Sequence, residues 1–464
     1  MITYNFAEKG SDPLYEYLYK CIKNDIIAGK IKAGEKLPSK RTFAKNLGIS
    51  VITVEGAYSM LISEGYVYSI PKKGFYVADF SFPAGYSERK TSAPAALSGG
   101  GGAFLADFTS PQTDTEIFPF SVWTKTMRDV MSQMQTELMT NSPCGGILRL
   151  RRAIAKYLLE FRGMQADPEQ IIIGAGTEYL YGILIQLLGR SCVYAIEDPG
   201  YHKSAKICEQ FGVSCVYINM DSDGIIVSEL EEKGATLVHT SPAHHFPTGA
   251  VMPLSRRYEL LSWALKSPER YLIEDEYDSE LRMNGKPLPT LKSIDVSGRV
   301  IYMNTFAKTL CSTVRISYMV LPRELADLFY KKLGFYSCTV SNFEQYTLAA
   351  FIENGSFEKH INRLRNFYQK KRDLLLEAIN SSPLGEKAEI SEKESGAHFL
   401  MKINTDLPEK EVLKNARSKK IRLSPLSAYY SKSCAAPENI YVMNYSSIGT
   451  EDIKEIIRRI YGSV

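Results

Sequence analysis

Between residues 271 and 315 the chain sets an acid, a hydroxyl, a lysine and an arginine close behind two short apolar runs. Tyr271–Ile273 and Val300–Met303 read as buried strands of a parallel sheet, and in open α/β sheets ligands sit beyond the carboxyl ends of such strands. The first run delivers Asp275 and Tyr277; the second delivers Thr305 and Lys308, with Arg315 seven residues further on. This set suits pyridoxal phosphate. Lys308 is the candidate Schiff-base amine, and Asp275 the carboxylate that keeps the pyridine nitrogen protonated so that the ring withdraws electrons. Thr305 and Arg315 suit the phosphate, the guanidinium through its bidentate fork. Upstream, GAGTEYLYGIL follows another apolar run and opens a helical pattern. Free N–H groups and the helix dipole make such a turn an anion site, so Gly176 and Thr177 are the matching half of a phosphate pocket.

The elements that must position these residues alternate in the manner of βαβ units. Strand candidates are Ile171–Gly174, Val193–Glu197, Val213–Ile218, Thr236–Thr240, Tyr271–Glu274, Val300–Asn304 and Ile316–Leu321, with helical patterns such as Ile147–Phe161 and Thr177–Leu188 between several of them. The expectation for residues 105–464 is an α/β body: a large lobe on a mostly parallel sheet, then a smaller α+β lobe from about 325. That lobe begins with helical patterns and turns strand-like at AHFLMKI, IRLSPLSAYY and IYVMNYSSI.

Residues 1–78 follow other rules. Leu14, Leu18, Ile22 and Ile26 form one face of a helix that starts at Pro13 and stops at Gly29. Ser39 caps a short helix, Gly48 turns the chain, and Ser50 caps a second helix running to about Glu64 with Val54, Ala57 and Leu61 inward. This is a helix-turn-helix, whose second helix enters the DNA major groove. GYVYSIPKKGFYV then reads as a hairpin whose tip carries Lys72 and Lys73 towards phosphate. Residues 79–104, rich in Pro, Ser, Ala and Gly, read as a flexible linker.

Bulk properties narrow the classes. A chain of 464 residues with 44% hydrophobic and 23% charged residues fits two or three soluble domains. No apolar run approaches the roughly 18–20 residues of a membrane span, and the N-terminus has no basic, apolar leader. Eight cysteines without a C-x-x-C fit a reduced cytoplasm, and six histidines show no metal-ligand spacing, so no metal is expected. The net charge of +4 resides in residues 1–78, which hold 11 Lys/Arg against 7 Asp/Glu. An anionic partner for that head follows.

The order of these motifs resembles known families. T-F-A-K followed by Arg315, with E-D-E-Y-D-S-E upstream, resembles the fold-type I pyridoxal phosphate enzymes, the aspartate aminotransferase superfamily. SPAHHFPTGAVMPLSRRYELLSWA at 241–264 is similar to the MocR-type regulators, in which a GntR-type winged helix-turn-helix is fused to an aminotransferase-like body. The resemblance implies that Ser39, Lys40 and Arg41 meet the DNA backbone. It assigns Ser50, Thr53 and Tyr58 to the recognition helix and Lys72, Lys73 and Gly74 to the wing. Val51 stands where the family often has Arg, which shifts recognition towards apolar contact with thymine methyls. In the body it sets Tyr277 against the ring hydroxyl and Tyr201 near the cofactor. His245, or alternatively His244, would face the same hydroxyl. Lys203 falls where a GABA-responsive member carries a ligand-binding Arg. Ser446 and Ser447 replace the usual carboxylate-gripping Arg, for which Arg422 is the substitute. The implied protein is a homodimeric, pyridoxal phosphate-dependent transcriptional regulator of double-stranded operator DNA, sensing the cofactor itself or an amine or amino-acid effector. The alternative is an active aminotransferase with an appended DNA-binding head.

Overall fold

The computed structural model describes residues 3–6, 10–79, 104–109, 116–283, 288–391, 396–431 and 436–464. The expected linker lies outside them except at its ends. The chain divides into two compact units, Met1–Gly100 and Gly101–Val464.

In the head, the helix Leu14–Ile27 buries Leu18, Tyr19, Ile22 and Ile26 against a helix-turn-helix. The helix Lys40–Leu47 begins at Ser39, whose Oγ accepts from the Thr42 amide at 3.2 Å, and ends at Gly48 in the left-handed region (φ 68°). A glycine there carries no Cβ penalty. Ser50 repeats the cap for Val51–Ser63, accepting from the Thr53 amide at 3.1 Å. Val67–Ile70 and Gly74–Val77 pair as the expected hairpin, and Lys36–Leu37 adds a third antiparallel strand.

One expectation for this head fails. Tyr58 is fully buried, its hydroxyl donating to the Pro38 carbonyl at 2.9 Å and its ring edge-on to Phe75 at 4.9 Å. Val54, Tyr58 and Leu61 share one helical face, so the phenol packs the head together and cannot reach a groove.

The body carries an eight-stranded sheet in the order Ile171–Gly174, Ser317–Val320, Val300–Thr305, Tyr271–Glu276, Leu237–Thr240, Val193–Asp198, Ser214–Asp221, Gly224–Ile225. Ser317–Val320 runs antiparallel to both neighbours, and Gly224–Ile225 forms an antiparallel edge; the other pairings are parallel. Alternation along Ile171–Ile173 sends Ile172 to one core and its two neighbours to the other. The helix Thr177–Leu188 covers the first face; Leu148–Arg162 and Asn342–Glu353 cover the second.

The smaller lobe packs the 25-residue helix Ser356–Asn380 on an antiparallel sheet of Ala388–Ser391, His398–Ile403 and Ile440–Asn444. The stretch expected as a strand at IRLSPLSAYY holds a two-residue strand, Ile421–Arg422, paired parallel with Ala106–Asp107, and a single antiparallel bridge from Pro425 to Tyr441. Pro425 then precedes a 3-10 turn, Leu426–Tyr429; without an N–H it cannot extend the ladder.

Candidate functional site

Strand ends from the large sheet converge on a cavity of about 340 Å³. Asp275 lies near the carboxyl end of Tyr271–Glu276, with Tyr277 and Asp278 just past it; Thr305 ends the neighbouring strand and Lys308 sits in the turn beyond. Antiparallel pairing of Thr305 with Ser317 brings the chain straight back, so Arg315 arrives beside Lys308's turn. The Thr305 hydroxyl accepts from Ser317 Oγ at 2.8 Å and from the Ala307 amide at 3.2 Å, which pins the turn. All five expected residues line the cavity, as do Gly176, Thr177, Tyr201 and Lys203.

Electrostatics distinguish these groups. Burial pushes the half-buried Lys308 ammonium down, with the charge of Asp278 opposing, so its amine is more readily neutral. Asp275 Oδ2 meets His239 Nε2 at 3.3 Å, while its buried Oδ1 has no hydrogen-bond partner among the described residues. Burial pulls His239 down, yet the bond and charge of Asp275, with Glu197, outweigh it and raise the imidazole. A carboxylate so backed, with one oxygen unpaired, suits a protonated ring nitrogen.

Opposite stands an anion cradle. Gly176 (φ 100°) precedes the helix Thr177–Leu188, and any Cβ there would collide with the Arg315 guanidinium. Arg315 itself takes a positive φ of 53° and donates to the Ala175 carbonyl at 3.2 Å. Its Nη2 also meets Glu178 Oε2 at 2.6 Å, and Glu178 in turn pairs with Lys203. These ion pairs hold the Glu178 carboxyl below its usual range, Lys203 contributing most.

Tyr277 is clamped rather than loose. Its hydroxyl lies 3.3 Å from His244 Nδ1, which also faces Asp278 Oδ2 at 2.8 Å, and the His244 ring sits 4.7 Å from that of His398. Gly396 (φ 67°) permits this, since a Cβ would strike His244 and Asp278. His244, Asp278 and His398 bring donor atoms within 4.8 Å of one another, a grouping hidden by their sequence spacing. Arg162, Arg257 and Arg282 line a small cavity on the His244 side, surroundings that disfavour a divalent cation there.

Two expected residues lie elsewhere. Neither His244 nor His245 lines the large cavity; His245 Nδ1 is 2.7 Å from Thr248 Oγ1 and its Nε2 approaches Glu197 at 3.4 Å. Arg422, on the outward-facing position after buried Ile421, pairs with Asp107 at 3.3 Å and is 55% exposed. The smaller lobe instead contributes Tyr368, Ala397, His398, Asn444 and Ser446 to the wall. Sequence reasoning missed Glu178, His239, Asp278, His398 and Asn444, although each stood inside a motif or strand candidate already singled out.

On the head, Ser39 and Ser50 spend their hydroxyls on caps, and Thr53 Oγ1 meets Ser50 Oγ at 2.8 Å. Lys40 pairs with Glu55 at 2.6 Å. Arg41, Lys72 and Lys73 are exposed, as are Val51 and Ile52 on the second helix. Together they make a surface of mixed cationic and apolar character.

Comparison with known proteins matches residues 14–77 to the bacterial regulatory proteins of the gntR family and residues 108–460 to aminotransferase class I and II. An uncharacterized HTH-type transcriptional regulator of Bacillus subtilis, YdeL, is 37% identical over 97% of this chain and 96% of its own. The probable rhizopine catabolism regulatory protein MocR of Rhizobium meliloti is 30% identical over 96% of this chain and 92% of its own.

The chain belongs to the MocR-type transcriptional regulators.

Like other MocR-type proteins it joins a DNA-binding helix-turn-helix to an aminotransferase fold. Among solved structures, Pyrococcus horikoshii kynurenine aminotransferase matches that body with a TM-score of 0.68 and 25% identity, covering 78% of this chain and 91% of the other. No described helix is long and apolar enough to cross a membrane.

Proposed function

We propose that this MocR-type regulator binds pyridoxal phosphate in the 340 Å³ cavity and converts its occupancy, or its reaction with an amine, into a change in operator binding. The carrying observation is that a burial-depressed lysine, a buried carboxylate oxygen without a hydrogen-bond partner among the described residues and a glycine-arginine cradle share one cavity. Those residues fit the cofactor's aldehyde, pyridine nitrogen and phosphate. When bound, the cofactor supplies a carbonyl for amines and an electron-withdrawing ring. Of the two lysines lining the cavity, Lys308 is the one whose amine burial shifts towards neutrality. Asp275, braced by His239, holds a proton on the ring nitrogen. Tyr277, clamped by His244, offers its hydroxyl to the ring oxygen, and Gly176, Thr177, Thr305 and Arg315 receive the phosphate.

Homodimerisation through the body, with the heads bound to paired half-sites of DNA, belongs to this reading. Coupling between ligand and operator of about 1–3 kcal/mol would be reciprocal, so DNA changes ligand affinity by the same factor. The similarity to a pyridoxine biosynthesis regulator of Corynebacterium glutamicum, 27% identical over 96% of this chain, supports the cofactor itself as a signal.

The test is the absorption spectrum of the full chain on adding pyridoxal phosphate. A visible band that borohydride removes, and that Lys308→Ala lacks, is expected; an unchanged spectrum would leave only the DNA-binding half of the reading. The aminotransferase fold favours a second reading, an active transaminase. Against it, the described small-lobe residues lining the cavity include no guanidinium, so none of them offers the anchor that a substrate carboxylate needs. Turnover of an amino donor with a keto acceptor would restore that reading.

A further inference from the structure

The cradle for an anion contains an anion of its own. Glu178, the second residue of the helix Thr177–Leu188, lines the cavity and bonds both Arg315 and Lys203. Its carboxyl is held below the usual range, so it stays charged across neutral pH. Gly176 admits the Arg315 guanidinium so closely that no side chain fits between them. The cation that would grip a phosphate is therefore already engaged, and at the N-terminus of the same helix.

We propose that Glu178 is a competitor for the phosphate of pyridoxal phosphate, setting the threshold at which this regulator fills. The inference rests on the cofactor reading above. A phosphate monoester carries about −1.5 to −2 charges at neutral pH, against one on the carboxylate, so it displaces Glu178 from Arg315 once its concentration suffices. The displacement is feasible because both ion pairs are accessible: Glu178, Arg315 and Lys203 side chains are 36%, 49% and 48% exposed, and exposed pairs are weak. The same carboxylate engages Lys203 on the cavity wall, so phosphate entry also alters a cation that an effector meets. Weak binding is useful in a sensor, because a cradle with unopposed cations would remain saturated and report nothing.

The experiment compares the full chain with Glu178→Gln, an isosteric change that removes charge, and Glu178→Ala, which removes the acceptor as well. Dissociation constants are measured by spectral titration for pyridoxal phosphate and for pyridoxal, which lacks the phosphate, and by calorimetry for inorganic phosphate. Both variants are expected to bind pyridoxal phosphate about two- to fivefold more tightly, and inorganic phosphate more tightly, with pyridoxal unchanged. Unaltered or weakened pyridoxal phosphate binding, or an equal gain for pyridoxal, would overturn the competitor. If no chain gives a spectral change, the cofactor reading fails by itself. Inorganic phosphate still decides the present one: a gain in both variants keeps the carboxylate as a competitor for phosphate, and no gain removes it.

Discussion

Asp275 and His239 show how single residues here take their character from partners. His239 is raised by its carboxylate neighbour, whereas burial lowers His360, lowers His398 well below its ordinary value and brings His245 to about 3. The signs oppose. A raised histidine contributes stability below about pH 6.5 that is lost as pH climbs through its folded value; a lowered one contributes stability above about 6.5 that is lost as pH falls. Buried Glu197 and Glu274, both raised to about 7, add stability as pH falls through the same range, so the contributions are separated by substitution. In urea unfolding between pH 7.5 and 5, His245→Gln is expected to remove an acid-driven loss of stability that the unaltered chain carries. Tyr58 offers a sharper case: Tyr58→Phe removes one buried hydrogen bond, expected to cost the head about 1 kcal/mol in thermal melting. Its burial was legible, since Val54, Tyr58 and Leu61 already stood at helical spacing; a family role obscured the packing role. Arg422 repeats the lesson: Ile421 had to point inward, which turned its neighbour outward.

At the scale of elements, caps and strand ends were the legible parts. Ser39 and Ser50 start their helices where the residue types demanded, and each apolar run of the large sheet became a strand within a few residues of its expected ends. The Tyr277 clamp was not legible, because His398 lies more than a hundred residues from both His244 and Asp278, and only tertiary packing joins them. The recognition helix carries its own prediction. Ile52 is 79% exposed, so its side chain buries little apolar area in the head. Ile52→Ser should leave melting within about 0.5 kcal/mol while weakening binding to an operator recovered by in vitro selection. Lys73→Ala in the hairpin tip should instead weaken all duplexes alike and lower the salt slope of binding by about one.

For the whole molecule, the division into two units predicts separable behaviour. Every residue lining the large cavity belongs to Gly101–Val464. The fragment 101–464 should therefore keep the pyridoxal phosphate dissociation constant of the full chain, measured by the same titration, while losing DNA binding. A large loss of affinity would mean that the head helps to build the pocket.

The antiparallel strand Ser317–Val320 has one more consequence. Because it reverses the chain directly after Val300–Thr305, Lys308 and Arg315 sit on a single connecting loop, 306–316, between adjacent strands. For an engineer that loop is a cassette. Grafting an inert loop of equal length between the same two strands would delete both functions in one step and spare the sheet, yielding a version of the regulator deaf to its signal; exchanging loops between relatives would transplant the chemistry without redesigning the scaffold.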